Sequence, residues 1–109
     1  MRKQSLRLTF LLSLILLGGC KKNEPIPVAD FTFDSSVHLK APCTVIFTNR
    51  SVNTFSYEWT FSDHDSVSAD TNAVHTFLEA GTFNVKLRAF TQSRNEWASL
   101  TKTVTVLKQ

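Results

Sequence analysis

Cysteine is scarce in this chain of 109 residues: there are two, Cys20 and Cys43. At most one internal disulfide can form, which excludes a scaffold stapled by several bridges. The chain also lacks a long apolar run. Leu8 to Leu17 is broken only by Thr9 and Ser13, yet ten helical residues at about 1.5 Å each cover about half of a hydrocarbon core roughly 30 Å thick, so this run does not span a membrane. No stretch repeats its apolar residues every three to four positions, which argues against an amphipathic helix. His38, His64 and His75 are spread along the chain, and no cysteine or carboxylate spacing gathers them into a zinc motif. No motif marks an activated serine, and a Ser-His-Asp triad would have to be assembled from remote residues. Catalysis, a resident metal and a cofactor are therefore not expected.

What is present begins with a targeting pattern. Arg2, Lys3 and Arg7 form a basic start, the apolar run follows, and Gly18-Gly19-Cys20 closes it, which is the layout of a signal peptide. Leu17-Gly18-Gly19-Cys20 resembles the bacterial lipobox, in which small residues let a peptidase reach the backbone and the cysteine thiol takes up a diacylglycerol. The resemblance implies that residues 1–19 are a lipoprotein signal peptide and that Cys20 is lipidated. It implies a protein held on a membrane of the bacterial cell envelope, at the outer membrane or cell surface. The alternative is that Cys20 merely ends a hydrophobic segment. Residues 20–27, with Asn23, Pro25 and Pro27, read as the lipidated cysteine and a short tether, whose Lys21 and Lys22 meet phosphate headgroups.

Cleavage before Cys20 changes the charge. It removes three of the 12 basic residues and leaves nine against the 9 acidic ones. A formally neutral domain lacks the clustered Lys and Arg of a nucleic-acid footprint, so no nucleic-acid partner is expected. A thioether at Cys20 also leaves Cys43 unpaired. Beside Ala41-Pro42 at the entrance to a strand, it reads as a small buried hydrophobe rather than a nucleophile.

From residue 28 to 109 the chain reads as a single all-β domain. Tyr57, Trp59 and Phe61 alternate with Glu58 and Thr60, so the aromatics share one strand face and form the middle of a core. The first strand is expected over Val28–Phe33, with Ala29, Phe31 and Phe33 on one face. Thr44–Asn49 follows, with Val45 and Phe47 inward. Val67-Ser68 is expected as a very short edge strand, and Ala73–Phe77 as another short strand. Thr82–Ala89 alternates without error, with Phe83, Val85, Leu87 and Ala89 inward, after a turn in which Gly81 takes a positive φ. Ala98–Leu107 closes the domain, with Val104 and Val106 inward. Short alternating runs separated by turn residues predict an antiparallel β-sandwich.

The order of these features over about Pro27 to Val106 resembles a PKD domain, the immunoglobulin-like module named after polycystic kidney disease. The matching residues are Ala29 and Phe31, Ala41-Pro42 before Val45 and Phe47, Asn49 and Ser51, and Tyr57 with Trp59 and Phe61. Farther on, His75-Thr76-Phe77 stands where the family has His-Thr-Tyr, and Gly81-Thr82-Phe83-Asn84-Val85 where it has Gly-Thr-Tyr-Thr-Val. The chain departs from the family's Trp-Asp-Phe-Gly-Asp-Gly run: Trp59-Thr60-Phe61-Ser62-Asp63-His64 lacks both glycines, so a different bend is expected there. The resemblance implies a seven-stranded antiparallel sandwich serving as an extracellular module for protein contact, carbohydrate contact or spacing. It does not imply catalysis.

Two sets of residues are candidate sites. Asp63, Asp65 and Asp70, with His64, offer oxygen ligands of the kind calcium takes, but lack the glycine and terminal glutamate of an EF-hand. They read as solvated turn residues. Phe90 follows the inward Ala89 and so points outward, with Trp97 across the polar loop Thr91–Glu96. An exposed aromatic pair suits a sugar ring or a protein anchor; alternatively Trp97 folds over the open end of the sandwich with Phe90. The function expected is a lipid-anchored envelope module for protein contact or spacing, with a carbohydrate-binding module as the alternative.

Overall fold

In the computed structural model, which describes residues 25–34 and 38–109, the alternating runs become seven strands. These are β1 (Phe31–Phe33), β2 (Cys43–Asn49), β3 (Ser56–Phe61), β4 (Ser66–Ser68), β5 (Ala73–Phe77), β6 (Gly81–Phe90) and β7 (Trp97–Val106). They form a three-stranded sheet in the order β1-β2-β5 and a four-stranded sheet in the order β4-β3-β6-β7. Every strand pair is antiparallel. The expected seven-stranded sandwich is thus the fold observed. The expected signal peptide and Cys20 lie outside the described residues.

The sheets meet through aromatic rings. Trp59 of β3 lies edge-on to Phe31 of β1, with centroids 5.1 Å apart, and 5.9 Å from Phe47 of β2. Phe47 in turn meets Phe61 at 5.6 Å. All four rings are buried, and pairs in these geometries add about 0.5–1.5 kcal/mol each beyond their area. The Trp59 indole N–H donates to the Asp70 carbonyl at 2.8 Å, so the one polar atom of the central ring is satisfied. Lys102 of β7 lies on the inward side of its strand, and its ammonium reaches across to the Phe31 carbonyl at 2.6 Å.

Two local expectations need correction, and the bend after β3 takes its own form. The first strand does not run from Val28. Asp30 uses its own carboxylate to accept the Phe31 N–H at 2.9 Å, and its backbone bonds Ser51 and Arg50 instead of continuing a ladder; among the described residues only an isolated Val28–Val52 bridge precedes β1. Short polar side chains interrupt strands by offering such local partners. Gly81 has φ +155° but opens β6, paired with Val106, rather than sitting in the turn. Its missing Cβ makes room for the Phe83 ring: a Cβ there would stand 3.0 Å from Phe83 Cζ. In the bend after β3 the left-handed position is Asp65, at φ +53°, and neither Ser62 nor His64 takes it. Aspartate tolerates that region better than most residues.

Candidate functional site

Strand register brings the outward residues of the four-stranded sheet into rows. Ser56 of β3, Phe90 of β6 and Trp97 of β7 form one row, and Glu58, Arg88 and Ser99 the next. In the second row Arg88 Nη1 donates to Glu58 Oε1 at 3.0 Å. The Arg88 guanidinium also lies over both aromatic rings, 5.0 Å from the Phe90 centroid and 5.2 Å from that of Trp97. The result is a layered patch of cation, aromatic ring and carboxylate at the end of the sheet where β6 turns into β7.

Phe90 is not exposed, contrary to expectation: 5% of its surface is accessible, against 54% for Trp97. Its parity does point outward, but the loop covers it. Thr91 is buried and its N–H donates to the Glu96 carbonyl at 3.0 Å, while the Arg94 N–H donates back to the Thr91 carbonyl at 2.9 Å. Arg94 takes φ +64°, which folds its side chain over the sheet. Its guanidinium lies 4.0 Å from the Phe90 centroid and donates to Ser56 Oγ at 3.0 Å. Phe90 and Trp97 remain partners, with centroids 6.3 Å apart, but of the two only Trp97 presents apolar surface to solvent.

Residues 25–28 enter the domain at this same end. The Asn53 side-chain amide donates to the Ile26 carbonyl at 3.0 Å, Pro27 is buried, and Val28 exchanges backbone bonds with Val52. An open hollow of about 320 Å³ lies among Ile26, Pro27, Glu96 and Trp97. A second, of about 290 Å³, is lined by Pro25, Phe55 and the 91–92 segment, among others.

The features now in view, a buried tryptophan at the sheet junction and three- and four-stranded sheets in this order, coincide with a family match. The sequence profile described as PKD domain matches residues 24–106. The chain belongs to the PKD domain family. Solved PKD domains resemble it in three dimensions. The first PKD domain of Vibrio anguillarum Epp is 22% identical, with TM-score 0.66 over 80% of this chain and 100% of that one. The first PKD domain of the Vibrio cholerae metalloprotease PrtV is also 22% identical, with TM-score 0.64 over 76% and 99% of the two chains. A structure from a study of promiscuous carbohydrate-binding modules of the β-sandwich superfamily is 24% identical, with TM-score 0.70 over 80% of this chain and 36% of that one. None of the curated proteins matches the chain. PKD domains are in general non-catalytic modules.

This PKD domain keeps the second aspartate of the family's Trp-Asp-Phe-Gly-Asp-Gly run as Asp63, and that residue is not a solvated turn residue as expected. Its side chain is 5% exposed, and its carboxylate lies 2.8 Å and 3.0 Å from His75 Nε2. The His75 ring stacks on Phe61, 4.1 Å between centroids and 2° from parallel, and meets Phe77 edge-on at 4.7 Å. The physical reason is parity. Trp59, Phe61 and Asp63 fall on one face of β3 and its extension, and Ala73, His75 and Phe77 on one face of β5. The pair clasps the far turn of one sheet to the other sheet.

Asp65 is exposed in its left-handed bend and Asp70 bonds the nearby Ser68 hydroxyl, so the three aspartates do not converge. Among the described residues no group of three His, Cys, Asp or Glu side chains is placed to hold a cation. Cys43 packs half-buried against the core, and desolvation pushes its thiol above its ordinary pKa. This opposes the thiolate a nucleophile needs.

Proposed function

We propose that this PKD domain is a lipid-anchored, non-catalytic module of a bacterial cell envelope, at the outer membrane or cell surface, and that its far end reaches out from the membrane to contact an envelope protein. In this reading residues 1–19 are removed, Cys20 carries the lipid, residues 21–27 are the tether and residues 28–109 the working domain. More than one acyl chain makes the anchorage stable, since each buried methylene contributes about 0.8 kcal/mol and a single chain is marginal. The observation that carries the proposal is topological. The tether enters beside the 91–96 loop, whereas the β3–β4 and β5–β6 turns lie at the other end of the long strands β6 and β7. Ten extended residues set those two ends about 33 Å apart, which suits a spacer.

In-cell photo-crosslinking of the full-length protein, with the reactive side chain at Val74, tests this reading. Val74 is 64% exposed on the flank of the three-stranded sheet, opposite Ile46. A reproducible protein adduct is the expected result. No adduct in cells where the protein is abundant and membrane-bound overturns the protein-contact reading.

One observation favours a second reading, capture of polysaccharide for a separate enzyme. Trp97 offers an exposed indole face beside the polar Arg88–Glu58 pair, a combination that suits a sugar ring. Likeness to a carbohydrate-binding module supports it too. Binding on a glycan array that disappears in Trp97→Ala is its test.

A further inference from the structure

The large apolar side chains exposed at the tether end come from three separate segments. Ile26 and Val28 belong to the tether and its continuation, Val52 and Phe55 to the connection before β3, and Trp97 to the start of β7; each is at least half exposed. They are neighbours by construction. Val28 and Val52 form a bridge, Ile26 and Trp97 share one hollow, and Phe55 and Pro25 share the other. Scattered single apolar residues need no explanation, but five gathered at one end do.

We infer that this end of the sandwich, Ile26, Val28, Val52, Phe55 and Trp97, is a membrane-docking face that rests in the headgroup layer of the bilayer holding the anchor. The inference rests on the lipid-anchor reading of Cys20. Chain length supplies the argument for what covers the face. Four residues lie between Cys20 and Pro25, and the five steps from one to the other reach about 18 Å when fully extended. Ile26 and Val28 are bonded to the domain, so the tether cannot pay out further without breaking those bonds. One residue beyond Pro25, Ile26 of the docking face is therefore held within about 22 Å of the acylated cysteine, which leaves too little room for a folded protein domain, about 26 Å across even by twice its radius of gyration, to slip between. Lipid is the partner always present at that distance, at high effective concentration.

The chemistry agrees. Tryptophan suits the headgroup boundary because its ring is apolar and its N–H polar. Arg94 and Arg88 stand beside Phe90 and Trp97, where they are placed to meet lipid phosphate. Glu96, in the same hollow as Trp97, is the opposing charge, and Glu58 is already paired with Arg88.

The two tryptophans make the test direct, because Trp59 is fully buried and serves as an internal reference. The full-length acylated protein is reconstituted into phosphatidylethanolamine–phosphatidylglycerol vesicles, with and without lipid brominated on the acyl carbons nearest the headgroup. Brominated lipid is expected to remove the Trp97 share of the emission, to leave the emission of Trp97→Phe unchanged, and to quench less in Ile26→Asp. Protein that floats with the vesicles but shows no lipid quenching, with Trp97 open to aqueous iodide, overturns the docking face and leaves the anchor standing. Protein that does not float overturns both. A soluble polysaccharide that shields Trp97 from iodide on vesicles, where lipid does not quench it, also overturns the inference and assigns the face to glycan.

Discussion

The Asp63 carboxylate and the His75 ring are both largely buried, and each offers the other its hydrogen-bond partner. Deleting one member therefore strands the other in an apolar setting. Asp63→Ala is expected to cost about 1–3 kcal/mol, which in a domain of this size lowers Tm by roughly 4–8 °C per kcal/mol. Asp63→Asn, which keeps an acceptor of the same shape, loses less; thermal melts of the two variants check the ordering. Cys43 is a second residue-scale case. Burial raises its thiol pKa, so at a given pH less of it is thiolate than in a free thiol. Alkylation by iodoacetamide at pH 8 is expected to be slower in the folded protein than in the urea-unfolded chain, and equal rates would contradict that burial. The sign for stability follows: a group whose pKa is raised on folding supports the fold below its unfolded pKa, and the support fades as pH climbs through the folded value.

At the scale of strands, most of the architecture was legible because the domain obeys the two-residue period. Val45 and Phe47, Trp59 and Phe61, Val85, Leu87 and Ala89, and Val104 and Val106 are all buried as their parity requires. The same rule, carried two residues past β3, puts Asp63 inward, and on β5 it puts His75 inward, so their pairing was within reach of the sequence. Turn composition obscured it, since Ser62–Ser66 looks solvated throughout. Phe90 shows the limit of parity. Alternation assigns a face of the sheet but says nothing of what lies on that face, and the cover here depends on Arg94 adopting a left-handed backbone and reaching back across the loop. The start of β6 bears on stability as well. Gly81→Ala forces a side chain into a positive φ and onto the Phe83 ring. The expected cost is about 1–3 kcal/mol, read as an earlier urea midpoint with unchanged slope.

For the whole molecule, the placement of the two ends matters more than any single contact. On the anchor and docking proposals, a domain whose entry segment and far turns lie about 33 Å apart along β6 and β7 presents those turns and the flanking faces outward only while its near end stays close to the membrane. Anchor and tether length are then separate variables. On the lipid-anchor proposal, Cys20→Ala leaves no site for the acyl chains and is expected to move the protein from the membrane fraction to the soluble fraction, whatever the state of the sandwich. Inserting about 20 Gly/Ser residues between Lys22 and Asn23 keeps the anchor but widens the volume the domain explores, so the effective concentration of its near end at the headgroups falls. Lipid quenching of Trp97 is expected to weaken in that variant while flotation with vesicles is retained. If the long-tether protein quenches as fully as the original, the apolar face binds lipid by its own affinity and does not need the short tether to hold it there.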